Sequence, residues 1–428
     1  MIKVFFNSWA LLLGMMLLMV GNGLQGTLMG VRGGIEGFST LELSLVTSAY
    51  FLGFLGGSRM TPEAIRRVGH VRVFAALASL ISAALILYPA MTYSWAWILL
   101  RVVVGFAFSG VYVTAESWLN NASTNETRGQ TLSLYMIVQM AGIVAAQGLM
   151  NVADPAGYLL FVIPSVLVSI SFAPILLSVV PTPAFETTKS MSLRQLYSIS
   201  PLGFVGMMLL GSVFSAQFGM SSVYATEVGL SVGEISIFIS SIFVGAMLLQ
   251  YPIGWLSDRM DRRVLILIVA VLGAGASFLG WIGGQYFPAL LAAGFVLGGM
   301  SNPLYSLLIA YTNDYLDTDD MAAASGGLIF VNGMGAIAGP IVTGWIMTTL
   351  GPSGFWLFIL GLMLAMALYA AYRMTRRVSA YAEEEDYEMV PYTTLTPSST
   401  PVAVEAAQEL YVEAAEELAE QSGEEDTV

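Results

Sequence analysis

Gly254 to Arg263 reads GWLSDRMDRR, a short charged connector set between two apolar runs, Ile235 to Leu256 and Val264 to Ile282. Crossing a bilayer takes roughly 20 mostly apolar residues at 1.5 Å of rise each, and both runs are long enough. So short a link holds two membrane helices together at one surface. Working outward, the same pattern places twelve runs between Trp9 and Arg373, at about 9–30, 42–61, 73–90, 95–118, 131–152, 157–179, 202–224, 235–256, 264–283, 289–312, 324–348 and 354–373. The expected fold is all-α, a polytopic membrane protein with twelve transmembrane helices.

Composition agrees. Apolar residues make up 56% of the 428 and charged ones 11%, with a mean hydropathy of +0.75, which excludes a water-soluble globular chain of this length. Trp9 to Gly30 is too long for a signal-peptide core and lacks a small-residue cleavage site, so it reads as a retained first helix. The chain has no cysteine, which removes disulfides and thiolate metal sites. If both termini are cytoplasmic, every Lys and Arg except Arg32 and Arg101 falls on the cytoplasmic side, the asymmetry that sets orientation.

The net charge of −13 is a property of the tail: fourteen of the twenty-nine carboxylates follow residue 382, where no base occurs. Nucleic acid is therefore not an expected partner. Four regions follow: a six-helix bundle over 1–180, a polar cytoplasmic linker over 181–201, a second bundle over 202–377, and an acidic tail over 378–428. The tail's Thr/Ser/Pro stretch and Ala/Glu segment predict a disordered, solvated extension with a weak helix at Glu405 to Gln421. The bundles share an internal similarity. Gly105-Phe106 with Ser109-Gly110 mirrors Gly294-Phe295 with Gly298-Gly299, and Gln139 with Gly142 matches Asn332 with Gly335.

The connector resembles the loop motif GxLaDrxGrr of the major facilitator superfamily, which implies Gly254, Asp258, Arg259, Asp261, Arg262 and Arg263 as gating residues of an inter-domain latch; the other reading is that these charges only enforce orientation and a tight turn. A first-half copy, Gly57 to Arg72, is degenerate, with Thr61 where the second copy has Asp258. GNGLQGTL at Gly21, Arg32 with EGFS at Glu36, AESWLN at Ala115, NETRG at Asn125, SNPLYSL at Ser301 and TND at Thr312 resemble the YcaD-type bacterial group. The resemblance implies an inner-membrane transporter built of two parallel six-helix repeats, with a small-molecule solute bound at their interface near the midplane.

An ionisable group in the hydrocarbon costs about 2.5–3.5 kcal/mol, so Arg101 and Glu116 call for reasons. With Gly105, Ser109 and Tyr112 they share one face of the fourth span. They lie about 22 Å apart along its axis and need separate partners. Arg101 with Gly105 and Gly110 resembles the RxxxG pattern of proton-linked facilitators, which implies a proton as coupling ion; the other reading is an arginine snorkelling to the outer interface. Glu116 reads as bonded to Arg128 or to amides of the next helix, or else as a proton carrier, with Trp118 beside it as an interfacial anchor.

Cavity candidates are Asn22 with Gln25, Gln139 with Gly142, Gln217 with Ser221, Asn302 with Ser306, and Asn332, each either a ligand contact or interhelical glue. Pro303 is expected to open its helix and expose a carbonyl. Gly335, Gly339, Pro340 and Gly344 predict close packing and a bend, and Arg32 and Glu36 an i,i+4 pair. His70 is the single histidine and reads as a loop residue; with no catalytic constellation, neither enzyme activity, metal nor cofactor is expected. The expected function is proton-coupled secondary transport of a polar or amphipathic small solute by a monomer in the bacterial inner membrane. The competing class is a non-transporting receptor or assembly protein that kept the fold and acts through its tail.

Overall fold

The structure, a computed structural model, describes residues 2–122, 125–173, 191–316, 318–376, 394–396, 399–404 and 406–407. Among these, twelve main helices follow in order: α1 Ile2–Ile35, α2 Thr40–Val68, α3 His70–Ala90, α4 Ser94–Ala122, α5 Asn125–Leu149, α6 Leu159–Ser171, α7 Pro201–Glu227, α8 Val232–Ser257, α9 Arg262–Gly283, α10 Phe287–Asn313, α11 Thr318–Leu350 and α12 Gly354–Met374. A short helix, Leu193–Ile199, precedes α7. Ten of the twelve are long and apolar enough to cross a membrane over their described residues, α5 and α6 being the shorter two. The expected 157–179 run passes outside the described residues after 173, and the expected 181–201 linker is described from 191 onward.

The two halves are built alike, and the local chemistry shows why. α1 and α7 each end in a glycine at positive φ, Gly37 (77°) and Gly229 (81°), a conformation glycine adopts without steric cost. Two residues later, Ser39 and Ser231 start α2 and α8 with reciprocal capping boxes to Glu42 and Glu234. Within each half the second and fourth helices meet backbone to backbone. A Cβ on Gly105 would sit 1.9 Å from the Tyr50 carbonyl, and one on Gly298 2.0 Å from that of Ile242. Likewise Gly53 faces the Val102 carbonyl and Gly245 that of Phe295. This registration pairs Gly105 with Gly298, one helical turn from the Gly294 that sequence similarity suggests. The Gln139–Gly142 match to Asn332–Gly335 fits it without adjustment, since Gly142 packs on Met16 of α1 and Gly335 on Met208 of α7.

Several local expectations are corrected. α2 runs on through Pro62 to Val68, and His70 is the buried first residue of α3, its Nε2 2.9 Å from Ser117 Oγ. Trp118 is buried against that ring and is not at an interface. α10 passes through Asn302 and Pro303 without opening. The irregular turn lies in α7, where Ala216–Met220 widens into a π-helical segment.

The Gly254–Arg263 loop ties α8, α9 and α10 together. Arg262 pairs with Asp314 beyond α10 and lies 3.8 Å from Asp258, while its Nε donates to Ser257 (3.1 Å). Asp261 caps α9 and pairs with Arg263 at 2.7 Å; Arg259 lies over the Trp255 ring. All these partners belong to the second half. The His70–Ser117 and Arg262–Asp314 contacts put the ends of α4 and α10 on the face carrying this loop, called the loop face below.

Candidate solute-binding cavity

Towards the opposite face the halves are in contact. Thr40 hydrogen-bonds Glu227, Ser48 donates to the Ile337 carbonyl (2.6 Å), and Asn151 donates to Ser236 Oγ (3.3 Å). A Cβ on Gly30 or Gly344 would clash with Ser222 or Ser44 of the other half, so close approach there needs glycine. Beneath this seam lies a cavity, partly open to solvent, walled by both halves. Its polar lining is Asn22, Tyr50, Ser58, Tyr112, Asn332, Thr396 and Ser399; aromatic rings supply much of the rest, with Phe51 and Phe54 from α2, Phe214 and Phe218 from α7, and Phe243 from α8.

Of the residues singled out from sequence, Asn22, Tyr112 and Asn332 reach this cavity. Asn22 Nδ2 donates to the Tyr112 hydroxyl (3.1 Å), and Asn332 Nδ2 to the Met207 carbonyl (3.1 Å). Gln217 and Asn302 bond across helices: Ser301 Oγ donates to Gln217 Oε1 (2.9 Å), and Asn302 Nδ2 to Gln250 Oε1 (2.7 Å). Gln139 lies one turn from Tyr135, whose hydroxyl donates to Glu116 (3.2 Å). Gln25 is buried with neither amide atom partnered among the described residues.

Arg101 stands behind the cavity wall. It is 2% exposed, its guanidinium lies 5.5 Å from the Tyr50 ring centre, and Nε and Nη1 find no hydrogen-bond partner among the described residues. A snorkelling arginine would reach water; this one does not. Tyr50, which lines the cavity, lies between it and Arg101. Arg32 does pair with Glu36 (2.6 Å) and also donates to the Pro155 carbonyl (3.0 Å), bracing α1 against the loop before α6.

Glu116 is 1% exposed and is met by the tail. The Thr400 amide (3.0 Å) and hydroxyl both donate to its Oε2. The side chain of Arg128 lies outside the described residues. The solvated reading of 378–428 fails for the tail residues described: Leu395, Thr396, Ser399, Thr400 and Ala403 are all buried. Sequence reasoning missed these and the aromatic walls. The pairs Phe51–Leu55 and Phe214–Phe218 show helical spacing, but an aromatic residue in a span reads the same whether it faces lipid or a cavity.

Two similar helical bundles around a central cavity form the arrangement of a secondary transporter. Residues 202–406 match the Major Facilitator Superfamily family model and residues 20–190 that of Sugar (and other) transporter. The uncharacterized MFS-type transporter YcaD of Escherichia fergusonii is 28% identical over 345 residues, 79% of this chain and 88% of that protein, and the Escherichia coli protein of the same description is 28% identical over 341. Among solved structures, a mutant form of the nucleoside transporter NupG superposes with a TM-score of 0.73 at 15% identity, covering 86% of this chain and 99% of that one. A bacterial homolog of the human lysosomal transporter Spinster, inward-facing and unoccupied, gives 0.66 at 13% identity over 95% of this chain and 98% of its own. The chain belongs to the major facilitator superfamily: it is a multi-pass bacterial inner-membrane protein of the secondary-transporter class, and not an enzyme.

Proposed function

We propose that the chain moves an uncharged, amphipathic solute with a planar or aromatic body across the membrane by alternating access, coupled to a proton. The loop face is then cytoplasmic and both termini lie inside, a topology supported by the clustering of Lys and Arg. One observation carries the reading: the cavity is bounded by both halves, and among the described residues its walls are aromatic and aliphatic side chains with a few amides and hydroxyls and no charged side chain. A charged solute would be left unpaired against such walls, whereas a ring stacks on them and an edge hydroxyl or amide meets Asn22 or Asn332. Arg101 and Glu116 are the two groups we assign to coupling, because each is a buried ionisable side chain within one helix of the cavity. The chain acts as a monomer in lipid, a reading supported by large apolar side chains such as Leu99, Leu248, Trp345 and Leu368, each more than half exposed. A receptor working through its tail has less support, since the described tail residues are held inside the protein.

The test is a thermal-shift panel on purified protein. Neutral aromatic amphipaths are expected to raise the melting temperature more than sugars or organic anions. Phe218→Ala is expected to weaken the best ligand by roughly tenfold, the equivalent of one ring contact. Preferential stabilisation by sugars or anions, unaffected by Phe218→Ala, would contradict the assignment.

A further inference from the structure

The acidic tail is the one segment whose position its composition does not explain. Residues 394–396 and 399–404 lie between the two halves on the loop-face side of the cavity, and the bonds they make come from both. On the first half, Glu116 of α4 accepts the amide and hydroxyl of Thr400. On the second, Ser306 of α10 bonds both the Leu395 amide (2.8 Å) and the Leu395 carbonyl (3.1 Å), and Gln250 of α8 donates to that carbonyl (3.0 Å). Thr396 and Ser399 form part of the cavity lining itself. Leu395 thus has both backbone groups satisfied by side chains, which is what an extended segment needs before it can be buried.

We propose that the loop-face mouth of the cavity is a peptide-binding site whose occupant is the chain's own tail, through Leu395, Thr396 and Ser399 to Val404, and that this tethered ligand obstructs the solute path on that side. The partner chemistry is specific. The site takes an uncharged segment with a backbone amide and a hydroxyl for Glu116, a backbone N–H and C=O for Ser306 and Gln250, and small apolar side chains such as Val402, Ala403 and Val404, all buried. Met389 to Val404 carries no charged residue, in contrast with the acids on either side of it. A charged segment would carry a large desolvation cost into this site. Because the ligand is covalently attached, it competes at an effective concentration on the order of millimolar, so a weak fit suffices to keep the mouth filled. Opposite the tail, the halves already touch through Thr40–Glu227, Ser48–Ile337 and Asn151–Ser236. With the tail in place the loop-face mouth is occupied and the other side is closed by the seam; without it, the cavity opens wider to the loop face alone.

The proposal rests on the transport reading only for its consequence, so the experiment separates the two. The chain has no cysteine, so Ser58→Cys, on the cavity wall and away from the tail bonds, is a single reporter. Its modification by a membrane-impermeant thiol reagent is measured in vesicles exposing the loop face, alongside solute flux. Three proteins carrying the reporter are compared: the full chain, a chain ending at residue 390, and Thr400→Glu, which sets a second carboxylate against Glu116 while leaving the chain length unchanged. Labelling is expected to rise at least tenfold in the last two, and a synthetic peptide of residues 391–407 is expected to reverse the rise in the truncated protein, which a merely unfolded protein would not allow. Equal labelling in all three, or a rise that the peptide does not reverse, would overturn the tail's role and leave transport standing. Tail-dependent labelling with no flux of any solute would keep the tail site and remove the transport reading.

Discussion

Replacing Arg101 by methionine is expected to make the protein more stable and to abolish pH-driven solute movement. The two effects have opposite signs because the side chain is buried at a cost. A guanidinium 2% exposed, with Nε and Nη1 lacking hydrogen-bond partners among the described residues, has the Tyr50 ring at 5.5 Å as partial compensation. Replacing buried ion pairs by apolar side chains of similar volume is often neutral or stabilising by about 1–4 kcal/mol, a weakly paired charge carries the same desolvation cost with less to offset it, and methionine keeps the length of the stem. On the proposed coupling role, the cost is offset by a partner that the guanidinium gains in another state of the cycle. Differential scanning of the purified variant checks the first half of the prediction, and uptake driven by a pH step checks the second. A drop in melting temperature of several degrees would mean that the guanidinium is well paired; uptake at the wild-type rate would exclude Arg101 from coupling.

Gly105→Ala is expected to reduce the yield of folded protein sharply, and Gly298→Ala to do the same for the same reason. Each added Cβ would meet a backbone carbonyl oxygen far inside van der Waals contact, 1.9 Å at Tyr50 and 2.0 Å at Ile242, and a backbone cannot rotate away as a side chain can. Separating α2 from α4, or α8 from α10, loosens packing along their whole length, so the cost is expected at or above the roughly 3 kcal/mol upper range of ordinary overpacking. Gly361→Ala is the control, because nothing lies within 4 Å of its Cβ position; it is expected to be neutral or slightly stabilising. Comparing melting temperatures in detergent decides the matter. Similar values for all three variants would show that the two close approaches are less tight than described.

These residues also show how far the sequence could be read. The helical runs were legible because a bilayer demands one length and one composition, and the duplication because glycine at a close approach has no substitute. Its register slipped by a turn, since Gly294, Gly298 and Gly299 offer near-equivalent matches until the partner backbone is known. Asn22, Tyr112 and Asn332 were legible as polar groups inside spans, yet Gln217 and Asn302 looked the same and proved to bond Ser301 and Gln250. Helical spacing says which residues share a face; it does not say what that face meets. The aromatic walls were hidden for a different reason: lipid and cavity both favour Phe. The tail's Thr, Ser and Pro read as a solvated stretch because burial depends on Glu116, Gln250 and Ser306, more than 80 positions away in sequence.

Alternating access itself is tested most directly across the seam opposite the loop face. Asn151 and Ser236, in contact at 3.3 Å, belong to different halves, and the chain has no other cysteine to interfere. In the Asn151→Cys, Ser236→Cys double variant, oxidation is expected to join the halves and stop solute flux, and a reductant to restore it. Flux that continues at the reduced protein's rate while the disulfide is intact would contradict a cycle in which this seam must open.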